Sequence, residues 1–352
     1  MKSTLVALSL SLAALSSLEA ALPPNKSSKE PPPYDANLFN QDKQVYSGHV
    51  EFLFWRVEEA ALDYALKMDN PAWSTVSTSF AQGTYQTANF DGDPGFRLKM
   101  SYFRAPHYWE LWWQYTRLTA SGKDQVGKPQ NATEFLNGTF PQIMANSLAG
   151  AQSEIHLNYN VADFMADRYF NPNPHLRLRV LGGATAVWMN QNWRVHYNDS
   201  AAAFTTIRNR WKYIGGGLRI GTMIDWFMGY DIYLTGLGTT AITIGTYQNR
   251  SKQTTNAQLT NGSDNINVPI RNAHYSDVRP AFTMQALLGP SWQKNFTNTR
   301  VEVFAGYEIN AWFNIQEVYR STAALPSAAK ETWVNNGAIA LQGLTTRLTV
   351  DF

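Results

Sequence analysis

Cysteine is absent from the 352 residues, so disulfide staples and thiolate metal sites are excluded, although an oxidising compartment is not. Charge is scarce. Asp, Glu, Lys and Arg reach 16 % of the chain, against the roughly 25 % usual for soluble domains. The net charge is only +2 and the basic residues are scattered, which leaves nucleic-acid binding without support. No repeat of about 20 to 50 residues stands out, so solenoids are set aside. Common catalytic loops are missing too: there is no GxSxG elbow, no HExxH and no GxxxxGKS/T. GGGLRIG lacks the spacing of a dinucleotide loop and lies inside an alternating segment, where small residues ease curvature. The six histidines are dispersed; His274, near Ser276 and Asp277, reads as a solvated loop residue. Asn131 and Asn137, in N-x-S/T sites, mark only loop composition. Neither enzymatic activity nor a cofactor is expected.

Long apolar runs are few. The first lies in MKSTLVALSLSLAALSSLEA, where Lys2 forms a positive n-region, Leu5 to Leu15 an apolar h-region, and Ala20, or Ser16 after Ala14, a small residue at a cleavage point. This predicts a signal peptide over residues 1–20, because the run is short of the roughly 20 residues of a spanning helix. Residues 21–43, rich in Pro, Ser, Lys and Asn, read as a periplasmic linker. Farther on, Ile232 to Asn249 is uncharged but built from Thr, Gly and Tyr, which favour strands and bends over helix.

What the sequence does have is rings, 13 % of residues, together with a negative mean hydropathy of -0.33. Strands of alternating polarity reconcile the two. GFRLKMSY sets Phe96, Leu98, Met100 and Tyr102 against Arg97, Lys99 and Ser101. EIHLNYNV sets Ile155, Leu157, Tyr159 and Val161 against Glu154, His156, Asn158 and Asn160, and RVEVFAGYEINAWF repeats the pattern. From Met228 to Ile244 the phase never changes, which reads as one long strand bent at Gly236 and Gly238, since a two-residue hairpin would flip it.

Alternation alone does not choose between water and lipid for the apolar face. Length does. The runs reach the roughly 9 to 11 residues of a membrane strand, against about 5 or 6 in a sandwich. Trp55, Trp109, Trp113, Trp211, Trp226, Trp292 and Trp312 fall near strand ends, where interfacial girdles would hold them. The close, GLTTRLTVDF, puts Leu344, Leu348, Val350 and Phe352 on one parity and ends on an aromatic ring. A secreted chain ending this way is expected to be an all-β transmembrane antiparallel barrel over residues 44–352, with Leu348, Val350 and Phe352 as its assembly signal.

If both termini are periplasmic, the strand number is even and long connections alternate with short ones. Strands near 45–56, 96–104, 109–118, 153–164, 176–187, 211–221, 228–247, 278–288, 299–311 and 340–352 make ten. Val57 to Asp93 leaves room for further hairpins, so an even number from ten to fourteen is expected. Short periplasmic turns fall at RAPHY, FNPNPH, TMIDW and GPSWQKN; long extracellular loops follow Leu118, Val187, Tyr247 and Ala311.

Several of these stretches, in matching order along most of the mature chain, resemble the Legionella-type pore-forming major outer membrane protein family, which includes the MOMP-like porins of environmental chlamydiae. They are HVEFLFWRVEEAALDYAL, DGDPGFRLKMSY, YWELWWQYTRL, LNYNVADFMADRYF, LRLRVLGGATA, GGGLRIG, GYEINAWF and GLTTRLTVDF. The resemblance implies a β-barrel porin. The missing cysteines depart from the chlamydial major proteins, so their disulfide-linked envelope lattice is not carried over.

In such a barrel the functional surface is the lumen. By parity its cations are Arg97, Lys99, Arg177, Arg179, Arg219, Arg279, Arg300 and Arg347, and its anions Glu110, Glu154, Asp225, Asp231, Glu302 and Glu308, with His156 beside them. On the lipid face near the midplane each Arg would cost about 2 to 4 kcal/mol, which favours the inward assignment. The charges either build a transverse field that sorts solutes or merely neutralise one another in a wet interior. The expected function is a passive channel for small hydrophilic solutes with weak selectivity, leaning slightly to anions, in the bacterial outer membrane. The alternatives are a barrel-anchored adhesin acting through its loops and a soluble carbohydrate-binding sandwich. Expected partners are outer-membrane lipid, the barrel assembly machinery and small solutes; homo-oligomers are compatible with the pattern.

Overall fold

The computed structural model describes residues 44–68, 83–104, 108–131, 134–140, 148–201, 203–256, 268–296, 299–321, 331–334 and 337–352. The expected signal peptide and linker lie outside the described residues. The strands are β1 (Gln44–Glu59), β2 (Asp63–Met68), β3 (Gly83–Thr87), β4 (Gly92–Arg104), β5 (Trp109–Gly127), β6 (Phe135–Gly138), β7 (Leu148–Asn173), β8 (Leu176–Asp199), β9 (Phe204–Gly229), β10 (Ile232–Thr255), β11 (Val268–Asn295), β12 (Arg300–Phe313), β13 (Val318–Ser321), β14 (Glu331–Val334) and β15 (Ala338–Asp351).

Among the described residues ten strands close into a barrel, in the order β1, β15, β12, β11, β10, β9, β8, β7, β5, β4 and back to β1. Every neighbouring pair is antiparallel. The last strand seals the ring against the first, from Ser47 opposite Asp351 to Glu59 opposite Ile339. Phe352 and Tyr46 exchange two backbone hydrogen bonds of 2.9 Å. No edge is left, so no backbone group within the ring needs water.

The outward face carries the lipid band. Phe96, Leu98, Met100, Leu218, Ile220, Ile242, Ile244, Met284, Val303 and Leu348 are exposed there. On β9 the band runs from Trp226 to Ile214, which at about 3.3 Å per residue and a tilt near 45° spans roughly 28 Å, close to the thickness of a hydrocarbon core. Trp109 and Trp292, both exposed, face outward near the periplasmic end of the band.

The strands do not stop at the band. β7, β9 and β11 are 26, 26 and 28 residues long, far more than a crossing requires, so their outer halves stand clear of the membrane. There the polarity inverts. Ile155, Leu157, Tyr159 and Val161 point inward and are buried, while Glu154, His156, Asn158 and Asn160 point outward, the reverse of the expectation from alternation. Above the lipid the outside is water, so the apolar side must turn in. Trp55, Trp211 and Trp312 are likewise buried in the interior rather than placed in a girdle.

Much of the sequence that reads as loop is this strand extension. β8 runs to Asp199 and a short turn leads to β9 at Phe204, so the connection after Val187 is a tall hairpin. TMIDW lies within β9 and all of GPSWQKN within β11. The turn after β9 is the pair Tyr230 and Asp231, both at positive φ (55° and 63°), as a two-residue hairpin of the mirror-image type requires. Such a turn does flip the phase, but the register shift beside it, Ile232 opposite Gly229 and then Tyr233 opposite Phe227, flips it back. This bulge is why the segment reads as one strand.

Within Val57 to Asp93, β2 pairs with β3 and with β6 in a three-stranded sheet separate from the ring. β13 and β14 form another small hairpin.

Candidate functional site

The interior has two layers. At lipid depth the inward positions of the strands supply charges, and the barrel brings them within bonding distance. Arg97 on β4 is the hub: its guanidinium donates to Glu308 Oε1 at 2.8 Å and Oε2 at 3.1 Å, to Glu51 at 2.6 Å and to Thr116 at 2.9 Å. It also sits over the Trp55 ring, 5.3 Å from the centroid. Glu308 accepts further bonds from Gln285 (2.6 Å) and Thr345 (2.8 Å). Beside it Arg219 pairs with Asp163 at 3.0 Å and donates to Thr239 and Gln285.

Toward the periplasm Asp225 lies between Arg177 (3.3 Å) and Arg179 (3.4 Å) and accepts from Thr235 at 2.7 Å. Arg179 also donates to the Tyr169 hydroxyl, which bonds Glu110. Arg347 pairs with Glu302 at 2.7 Å, and Arg300 with Asp351 at 2.5 Å. Lys99 lies 4.3 Å from the Trp112 ring centroid, and Trp112 donates to Asp167. Each charge has a counter-charge or a ring because an isolated ion in this low-dielectric interior would cost several kcal/mol.

Above this lattice the lumen holds a large apolar cluster among buried neutral groups such as Asn209, Asn249 and Ser251. Leu53, Trp55 and Val57 of β1 join Val187, Met189 and Trp193 of β8, Trp312 of β12, and Ile339 and Leu341 of β15 in one buried cluster. Tyr64 and Leu136 from the small sheet, Leu62 just before it, and Ile315 after β12 pack into the same cluster. Among the described residues, two cavities of about 20 and 40 Å³ lie between side chains at lipid depth, with room for a few waters and not for a solute.

Arg97, Lys99, Arg177, Arg179, Arg219, Arg300, Glu302, Glu308 and Arg347 thus all take inward positions, and the barrel gathers them into the lattice. Arg279 also points inward but higher, where it binds Glu317 at 2.8 Å and Asp277 at 2.6 Å. Glu154 and His156 face outward instead, and Asp231 sits in the periplasmic turn, where it pairs with Lys294 at 2.9 Å. Leu348, Val350 and Phe352 hold outward positions at the seam. Parity overlooked Glu51, Asp163, Asp167 and Asp351. Asp163 and Asp167 share a side of β7 with Leu157 and Val161, so assigning that side to lipid removed them from consideration. Among the described residues no cluster of His, Asp and Glu fits a metal ion.

A model of the family described as the Legionella pneumophila major outer membrane protein precursor matches residues 40–352. The chain belongs to this family. This member of the major outer membrane protein family is therefore a barrel of the bacterial outer membrane. No curated protein matches it. Solved structures similar to it include the outer membrane protease OmpT of Escherichia coli, at 9 % identity and a TM-score of 0.37, over 88 % of this chain and 96 % of that one. Another is a Pseudomonas aeruginosa FadL homologue, at 7 % identity and a TM-score of 0.24, over 93 % and 95 %.

Proposed function

We propose that the protein is a narrow channel for small hydrophilic solutes, held shut in the conformation described. What carries the reading is a contrast within one barrel. The outer half is filled chiefly with apolar side chains and neutral polar ones, with Arg279–Glu317 as an isolated pair, whereas the half at lipid depth is filled with ions, although apolar packing there would be as stable or more so. Retained charge at that depth fits a filter, and the apolar layer above it fits a gate that closes by dewetting. With Glu51, Asp163, Asp167 and Asp351 added, the lattice holds seven cations against eight anions among the described residues, so selectivity is weak and the slight lean to anions disappears. The ions act by position and field, and no catalytic role is assigned to them. Lipid surrounds the outward band, and the assembly machinery reads Leu348, Val350 and Phe352.

A second reading, a sealed barrel that displays its outer extension as an adhesin, is favoured by the full burial of Trp55, Trp193 and Trp312 in the layer a channel must open. Planar-bilayer recording separates them. Brief, small openings in the native protein, made longer in Trp312→Ala, support the channel. Silence from both, with folding verified by migration on unheated gels, supports display.

A further inference from the structure

Immediately above the lipid band, the outward face of β8, β9 and β10 carries rows of like charge. Lys212 is the next outward residue after Ile214 on β9, so the rows begin at the band's upper rim. One row sets Arg210 directly opposite Arg250. The next sets Arg208 between Arg194 and Lys252. All six side chains are exposed. Like charges directly opposite each other destabilise an antiparallel pair, yet here three such pairs lie side by side. Glu154 balances only the edge, reaching Arg194 at 3.7 Å and shared with Lys123 at 3.1 Å. Arg210 and Arg250 donate to neutral Asn192 and Asn272, and among the described residues none of Arg208, Arg210, Lys212, Arg250 and Lys252 meets a carboxylate. A groove of about 520 Å³ opens beside Arg194 and Arg208.

A surface of this kind is stable when an anion bridges the rows. Their height matches the headgroup layer: at about 3.3 Å per residue and a tilt near 45°, the three rows from Lys212 to Arg208 span roughly 9 Å and reach roughly 14 Å above Ile214 at the edge of the hydrocarbon. We propose that these rows bind the phosphorylated headgroup of an outer-leaflet glycolipid, whose acyl chains lie along Ile214, Leu218 and Ile242 below. Bidentate guanidinium contacts to phosphate supply the strength, and the adjacent apolar wall supplies the preference for a lipid over a soluble anion. The inference rests on the outer-membrane location and is independent of whether the lumen conducts.

The test uses the full-length folded protein in detergent, titrated with bisphosphorylated lipid A, its dephosphorylated form and inorganic pyrophosphate, with binding read by native mass spectrometry. Lipid A is expected to bind at least tenfold more tightly than either comparison probe, with affinity falling as salt rises. The double variant Arg208→Gln/Arg250→Gln is expected to lose at least tenfold while keeping its fold, since it relieves repulsion between exposed groups; Lys294→Gln, at the periplasmic end, serves as the unaffected control. Equal binding of the dephosphorylated lipid, equal binding of pyrophosphate, or an unchanged double variant each overturns the proposal.

Discussion

Replacing Arg97 by methionine keeps an apolar stem about as long as its aliphatic part and removes every bond its guanidinium makes. Glu308 keeps its hydrogen bonds from Gln285 and Thr345 but loses both charged ones, and Glu51 is left with Arg347 at 3.7 Å. Their side chains are 0 % and 4 % exposed, so neither carboxylate reaches bulk water. Breaking such a buried pair costs about 3–5 kcal/mol. The cavity of about 40 Å³ bordered by Arg97 and Glu51 can admit water to the orphaned oxygens, which places the cost near 3 kcal/mol. That is roughly a hundredfold in the ratio of folded to unfolded protein. The triple variant Arg97→Met/Glu51→Met/Glu308→Met removes the ions together and is expected to lie within about 1 kcal/mol of the native protein or above it. Urea titration of the detergent-refolded barrel, followed by tryptophan fluorescence, measures all three. The reasoning fails if the single variant costs less than about 1 kcal/mol, or if the triple variant is as unstable as the single one.

Other expectations follow from the same geometry. Trp312→Ala empties a fully buried site in the apolar layer and is expected to cost about 3–5 kcal/mol in the same titration. Tyr230 holds a left-handed backbone while 95 % exposed, so Tyr230→Gly is expected to stabilise the barrel by up to about 1 kcal/mol. Phe352→Ala leaves the backbone bonds to Tyr46 in place, so the urea midpoint should hardly move, whereas membrane-inserted protein in cells, quantified on unheated gels, should fall several-fold.

The ring itself was legible because period-two alternation, even strand number and the terminal strand are local features. Arg97, Glu308 and Arg347 were legible for the same reason: each lies on a strand segment that faces lipid on its other side. Alternation carries no sign, however. Ile155 and Leu157 alternate with Glu154 and His156 as cleanly as Leu98 and Met100 do with Arg97 and Lys99, although one apolar set faces a core and the other lipid. The available clue was Asp163 and Asp167, which share a parity with Ile155 and Leu157, since a lipid face would not carry them. The seal was beyond local reading. It is assembled from residues as distant as Leu53, Leu136, Trp193 and Leu341, which meet only when the ring closes. The turn at Tyr230 was hidden because a bulge restored the phase that the turn had changed.

The central claim, that the wall faces lipid below and water above with its apolar side turned inward in the outer half, is tested most directly by single-cysteine mapping, for which a chain without native cysteine is ready-made. Leu218→Cys carrying a fluorophore is expected to be quenched by a lipid-borne quencher, His156→Cys to react with a membrane-impermeant maleimide on intact cells, and Leu157→Cys to do neither. Lipid quenching at position 157, or protection from the maleimide at position 156, contradicts the account.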